Sequence, residues 1–363
     1  MSARQGTSSN RPPPLSVRKK LLFCLITCLL VFSSIEITWR LANGWNQDWV
    51  DCHRYDPVLG WCLREGWTGV SEWTAGLGHV NLQGLRDDRP VGPRPPGEKR
   101  LLILGDSITF GGKVRIDQTY PSLLERKFNQ AGLPWRVLNG GVASYDPAQE
   151  VDWLERIGWS LEPDILAIEF CRNDVSPSDR STRSQGKAGE LPSGVLGRWL
   201  TDHSILAYKL QRGMWHLQLE VGKVLGVQPT VTADAGPDGT PAGWTFVENN
   251  YRRLAQTARE HHVPVMVIVF PTLDVAAGRY QDGLSQHLQT LGQELGWPVI
   301  DLEETFRSDP SSLFLEGDHI HPNPAGYERT AERLFQEFTS QGLLTTGPAA
   351  AAKTARPEQE IRR

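Results

Sequence analysis

The sequence predicts an α/β fold in which helices cover both faces of a parallel sheet. Two observations predict it: five short apolar runs recur along the chain, and longer amphipathic stretches of helical period separate them. The runs are LLIL at 101–104, WRVL at 135–138, DILAIEF at 164–170, VPVMVIVF at 263–270 and WPVI at 297–300. Each is short, bounded by turn residues and rich in branched or aromatic side chains, as buried strands are. The separating helices are read from PSLLERKFNQAG, which stops at Gly132, from FVENNYRRLAQTAREHH and from GYERTAERLFQEF.

Composition narrows the function. The chain has 363 residues, with 38 Lys+Arg against 42 Asp+Glu and a formal charge of −4. That balance lacks the basic excess that nucleic-acid binding leaves, so no nucleic-acid partner is expected. A hydrophobic content of 39% with 22% charged residues is that of a folded body, and length allows one large domain with additions.

The first twenty residues carry Arg4, Arg11, Arg18, Lys19 and Lys20 and no acid, which marks a cytoplasmic N-terminus. Residues 21–41 then read as a transmembrane signal anchor: LLFCLITCLLVFSSI is extended past the single Glu36 by Ile37, Trp39 and Leu41. A cleaved signal peptide, with Val31 and Ser33 before the cut, is the rival. Neither Cys24 nor Cys28 lies in a lipoprotein cleavage context. Both readings put everything after about residue 42 outside the cytoplasm, membrane-anchored or, if cleaved, secreted. There Cys52 and Cys62 either close a short disulfide loop or pack as thiols beside Trp61.

Residues 44–99, rich in Trp, Gly and Pro, read as an irregular lead-in or cap that ends in the connector PVGPRPPGEKR. The main domain is assigned to 100–340. It carries an insertion at 176–243, because about ninety residues separate the third run from the fourth, more than one crossover helix needs. The aromatic stretch RWLTDHSILAYKLQRGMWHLQL inside it is expected to be helical and to pack on the main body. The insertion is a candidate substrate-shaping lid, since it lies near the C-terminal edge of the sheet. Residues 346–363, Ala-, Pro- and charge-rich, read as a disordered tail.

Four segments carry the chemistry. LLILGDSITFGG runs a strand directly into Ser107, whose hydroxyl is thereby exposed as a candidate nucleophile with its backbone amide facing the crevice. A phosphate loop lacks the GK[ST] ending here, and an N-cap serine is the plain structural alternative. LEGDHIHPNPAGY puts Asp318 three residues before His321, a spacing that lets the carboxylate fix the imidazole while the other ring nitrogen takes the Ser107 proton. Asp318, His319 and His321 could alternatively hold a metal, but no Cys/His cluster with ligand spacing accompanies them, and His261 and His262 sit at a helix end. Gly141, in NGGVASYDPAQE, and Asn173, in FCRNDVSPSD, each close a strand. They could present amides to an oxyanion, or serve as a turn glycine and a helix cap.

In this order the four segments resemble the SGNH hydrolases, also called the GDSL esterase and lipase family, over about residues 81–338. Ser107 stands in the GDS block, Asn139 to Gly141 in the N-x-G block, Asn173 and Asp174 end the third block, and Asp318, His321 and Pro322 form D-x-x-H-P. NLQGLRD at 81–87 and Gly60-Trp61 are similar to the lead-in of membrane-anchored bacterial members. The sequence departs at Cys171, followed by Arg172, where the family has glycine; a side chain there is expected to narrow the pocket. The resemblance implies a flavodoxin-like three-layer α/β/α sandwich with a five-stranded parallel sheet. It also implies a Ser107-His321-Asp318 triad, and an oxyanion hole from the amides of Ser107 and Gly141 with the Asn173 side chain. No cofactor or metal is implied. The expected function is an extracytoplasmic serine esterase acting on O-acyl, chiefly O-acetyl, esters of small molecules or carbohydrate, with the membrane as a second partner through the anchor. An O-acyltransferase on a cell-envelope polysaccharide, or a non-catalytic envelope scaffold, are the alternatives. Lipid ranks below carbohydrate as substrate, since no amphipathic lid with a basic face is evident.

Overall fold

A computed structural model describes residues 16–43, 52–175 without 57 and 72, scattered positions between 200 and 214, and 243–340 without 282. The expected tail at 346–363 and nearly all of the insertion at 176–243, with its lid role, lie outside the described residues.

The chain opens with helix α1 (Val17–Asn43), whose apolar side chains are exposed along its length. It is long and apolar enough to cross a bilayer. Two antiparallel hairpins follow, β1 (His53–Asp56) with β2 (Gly60–Leu63), and β3 (Thr68–Val70) with β4 (Leu77–His79). The α/β body then runs β5 (Lys99–Gly105), α2 (Ser107–Phe110), α3 (Tyr120–Gln130), β6 (Trp135–Gly141), α4 (Pro147–Arg156) and β7 (Ile165–Phe170). After the insertion it continues with α5 (Trp244–Glu260), β8 (Val265–Val269), α6 (Leu273–Ala276), α7 (Leu284–Leu295) and β9 (Val299–Asp301). It closes with α8 (Glu303–Arg307), α9 (Pro310–Leu313) and α10 (Pro324–Ser340).

Strands β5 to β9 form one parallel sheet in the order β6-β5-β7-β8-β9. All five expected runs are strands, displaced by at most a few residues at their ends. Because side chains alternate along a strand, β5 sends Leu101 and Ile103 to one face, and Leu102 and Leu104 to the other. The first face is closed by α3 and α10 through Leu124, Phe128, Tyr327, Leu334 and Phe338. The second is closed by α4, α5 and α7 through Trp153, Leu154, Tyr251, Leu254 and Leu288. This is the three-layer sandwich the sequence predicts. The chain leaves β5 to one side for β6 and to the other for β7, so the crevice where open α/β sheets take ligands lies at the C-terminal end of β5.

The lead-in differs from its expected irregular form. Leu59, Trp61, Leu63, Trp67, Val80 and Leu85 belong to the same buried cluster as the second face of the sheet. Side-chain bonds fasten it: Trp61 Nε1 donates to the Ala143 carbonyl at 3.1 Å, Tyr145 Oη to the Trp61 carbonyl at 2.7 Å and Gln149 Nε2 to the Leu59 carbonyl at 2.6 Å. Short strands around Gly60 and Gly76, both at positive φ, carry too little period for a sequence reading to find them. Cys52 and Cys62 are both buried thiols, and no disulfide joins them; burial pushes the Cys62 thiol up to about 12. Of the two readings of this pair, packing beside Trp61 is the one found.

Candidate active site

Ser107 is the first residue of α2, immediately after β5. Asp106 forms the cap: its Oδ1 accepts from the Ile108 amide at 2.8 Å, which turns the chain sharply and brings the Ser107 side chain to the sheet edge. There Ser107 Oγ lies 2.8 Å from His321 Nε2. His321 Nδ1 lies 2.8 Å from Asp318 Oδ2, while the amides of Ile320 and His321 donate to Asp318 Oδ1 at 2.9 and 3.1 Å. The Asp318 bond assigns the Nδ1–H tautomer, which leaves Nε2 as the acceptor facing Ser107.

Burial opposes ionisation of Asp318, yet those two amides and the His321 ring hold it well below the usual carboxylate range. Lys113, held at φ 63, places Nζ 3.4 Å from Asp318 Oδ2. His319 turns away; it is 64% exposed, with Nδ1 3.8 Å from Asp274. Asp318, His319 and His321 therefore do not converge as a metal reading requires.

The two amide donors fare differently. Asn173 is exposed in the turn after β7, and its Nδ2 donates one hydrogen to Asp106 Oδ2 at 2.6 Å, leaving the other available. Gly141 is buried, and its amide donates to Asn139 Oδ1 at 3.0 Å inside the strand end. A Cβ at Gly141 would stand 2.2 Å from the Phe110 nitrogen, so glycine is required here for the close approach of β6 to α2. The expected oxyanion role of Gly141 is thus replaced by a packing one. The residue of this loop that reaches solvent is Ser144, at φ 65, a position without any signature in the sequence.

Cys171 also departs from expectation. It is 2% exposed within the core, and its thiol hydrogen-bonds to Asn173 Oδ1 and lies 3.7 Å from Asp106 Oδ2. It cannot narrow a substrate pocket. Glu169 lies beneath the same turn, its Oε2 accepting from the Asp106 amide at 3.1 Å and from Thr109 Oγ1 at 3.2 Å. Asp106, Glu169 and Cys171 are close enough to share an ion, but both Asp106 carboxylate oxygens, Glu169 Oε2 and the Cys171 thiol are already hydrogen-bonded.

Sequence reasoning missed two supports that come from the lead-in. Arg86, 2% exposed, donates to the carbonyls of Phe110, Gly111 and Val114 and stacks 4.3 Å from the Phe110 ring. It ties down the loop that follows Ser107. Trp73 accepts the Lys113 amide at 3.0 Å through its carbonyl, and its ring, like that of His321, borders Gly112. Beyond Asn173 a cavity of about 390 Å³ opens between Phe170, Arg172, Thr272, Gln281, Gln286 and Asp301. The triad does not line it; Arg172, next to Asn173 in the chain, links the two.

The family model for GDSL-like lipases and acylhydrolases matches residues 103–329, more than half of the chain. The chain belongs to that family. An arylesterase of Vibrio mimicus is 30% identical to this chain over 76 residues. That match spans 21% of this chain and 38% of the arylesterase. Among solved structures, TesA is 15% identical, with coverage of 67% of this chain and 99% of its own and a TM-score of 0.42. A catalytic mutant of an acetylxylan esterase from Geobacillus stearothermophilus is 15% identical over 66% of this chain and 94% of its own, with a TM-score of 0.41.

Proposed function

We propose that this GDSL-family chain is a serine esterase that hydrolyses O-acyl esters, with Ser107 as nucleophile, His321 as general base and acid, and Asp318 orienting the imidazole. The observation that carries the reading is the continuous row Ser107 Oγ–His321 Nε2 and His321 Nδ1–Asp318 Oδ2, both links at 2.8 Å. As Ser107 Oγ bonds to the ester carbonyl carbon, its proton passes to His321 Nε2. The imidazolium so formed is stabilised by an Asp318 carboxylate kept ionised. The tetrahedral oxyanion is met by the Ser107 amide and the free hydrogen of the Asn173 amide, and each such donor contributes about 100- to 1000-fold in rate. Collapse breaks the bond to the alkoxide, which takes the proton from His321. Water then gives a proton to His321, adds to the acyl-enzyme and releases the acid and Ser107.

The amide and hydroxyl groups of Gln281, Gln286 and Thr272 in the adjoining cavity suit a polyhydroxylated alcohol portion, which favours an acylated carbohydrate or small polar ester. The basic N-terminus preceding α1 orients the catalytic body outside the cytoplasm, with α1 as its anchor. The test is acetate release from a chromogenic acetyl ester by the full chain in detergent, with Ser107→Ala beside it. Release that disappears in the variant supports the reading; release that persists overturns it. Adding a sugar acceptor to the same assay separates hydrolysis from acyl transfer, since a transferase forms acylated sugar in place of acetate.

A further inference from the structure

The outer end of α1 is not a bare tether. Glu36, one residue past the apolar run, forms an ion pair with Arg40 at 2.7 Å, one helical turn away. The same carboxylate accepts from Ser204 Oγ at 3.0 Å and from the amides of Ile205 and Leu206 at 3.2 and 3.0 Å, residues almost 170 positions further along the chain. Arg40 in turn donates to the His203 carbonyl at 2.6 Å, and Lys209 Nζ lies 5.0 Å above the Trp39 ring. Ser204 Oγ accepts the Ala207 amide at 3.1 Å, so Glu36 and Ser204 together cap the start of a helical turn at residues 205–207. Ser204 and Ile205 are buried in this joint.

Depth decides what surrounds the joint. At 1.5 Å per residue, the stretch from Leu21 to Leu41 is about 30 Å long, the thickness of the hydrocarbon layer. Glu36, five residues or about 7.5 Å short of Leu41, therefore lies within the outer part of that layer, where an ionised carboxylate is costly unless donors surround it. The segment at 203–206 supplies three. A segment bonded to Glu36 and Trp39 cannot stand clear of the lipid, and around it Leu200, Leu210 and Met214 are 38%, 54% and 52% exposed. Lys209 beside Trp39 gives the amphipathic pairing of a cation and an aromatic ring that suits the headgroup level.

We propose that His203 to Ala207, with Lys209, form a clamp that seats on the outer end of α1 at the outer side of the bilayer that α1 crosses, with Leu200, Leu210 and Met214 entering the lipid. This rests on the reading of α1 as a membrane anchor. The clamp would give the chain a second contact with the bilayer, beside α1 itself.

The test uses the full chain reconstituted in phosphatidylcholine/phosphatidylglycerol vesicles, with p-benzoylphenylalanine in place of Met214 or, as a distant exposed control, Gln336. Irradiation should give lipid adducts about tenfold more abundant at 214 than at 336. Glu36→Ala, which removes the acceptor for three donors, should reduce the 214 adduct several-fold while flotation with the vesicles and acetate release persist. Equal adducts at the two positions, or a 214 adduct unaffected by Glu36→Ala, overturn the clamp alone. A wild-type chain that fails to float with the vesicles overturns the anchor reading, and the clamp with it.

Discussion

At His321 the two ring nitrogens face different partners, and this asymmetry sets what each nearby residue does. His321→Ala should lower ester turnover by at least about 1000-fold, the scale of losing a triad member. His319→Ala, which removes an exposed ring beside Asp274, should leave turnover within about twofold. Equal losses in the two variants would refute the assignment of the base. Asp318 titrates in the opposite sense to a buried acid: its pKa in the folded chain is depressed. Its contribution to stability is therefore complete above the ordinary carboxylate range and is lost as pH falls through the lowered value. An acid limb of kcat/KM above about pH 5 accordingly belongs to a group other than Asp318. Ser107, Asp318 and His321 were legible in the sequence because each sits in a short segment whose geometry is local: a strand-to-helix turn and a three-residue spacing. The direction of the Gly141 amide was not legible. It depends on Asn139 folding back on its own strand and on the approach of α2, which spacing does not encode. The Cys171 thiol was misread for the same reason, since a position beside a catalytic turn says nothing about which side of the sheet edge its side chain takes.

At the scale of elements, the strands of the main sheet were readable because they are buried on both faces and so appear as continuous apolar runs. The hairpins of the lead-in have three or four residues per strand and owe their place to Trp61, Gln149 and Arg86 reaching across the fold. Arg86 is the sharpest case, because one guanidinium fork serves three carbonyls around Gly111. Arg86→Lys keeps a charge but loses the fork, and should cost about 1–3 kcal/mol of stability through the carbonyls left without donors. Because that loop follows Ser107 directly, kcat should fall with little change in KM. A thermal melt and acetyl-ester kinetics check both, and a variant with unaltered Tm and kcat would remove Arg86 from the support of the site.

For the whole molecule, the unusual burden is the acidic set beneath the catalytic edge. Glu150, Glu169 and Asp174 are fully buried, and burial first, then their mutual repulsion and that of Asp106, pushes all three pKa values well up. Both carboxylate oxygens of Glu150 lack a hydrogen-bond partner. A raised pKa in the folded state stabilises below the unfolded value and loses that contribution as pH climbs towards the folded one. Stability should therefore decline as pH rises above the ordinary carboxylate range, and Glu150→Gln should flatten the decline, raising Tm by several degrees at the upper end. Melting curves from that range upward decide it; an identical slope in the variant would show that Glu150 carries none of the effect.

The hairpins ahead of β5 have a consequence for how the molecule divides. The family match begins at residue 103, yet Leu59, Trp61, Leu63, Trp67, Val80 and Leu85 share one core with Leu102 and Leu104. The stretch matched by the family model and the buried core thus have different borders. A fragment cut where the family begins would expose one side of its own interior, whereas a cut before Cys52 would keep that interior whole. One wall of this interior comes from residues outside the stretch that the family model matches.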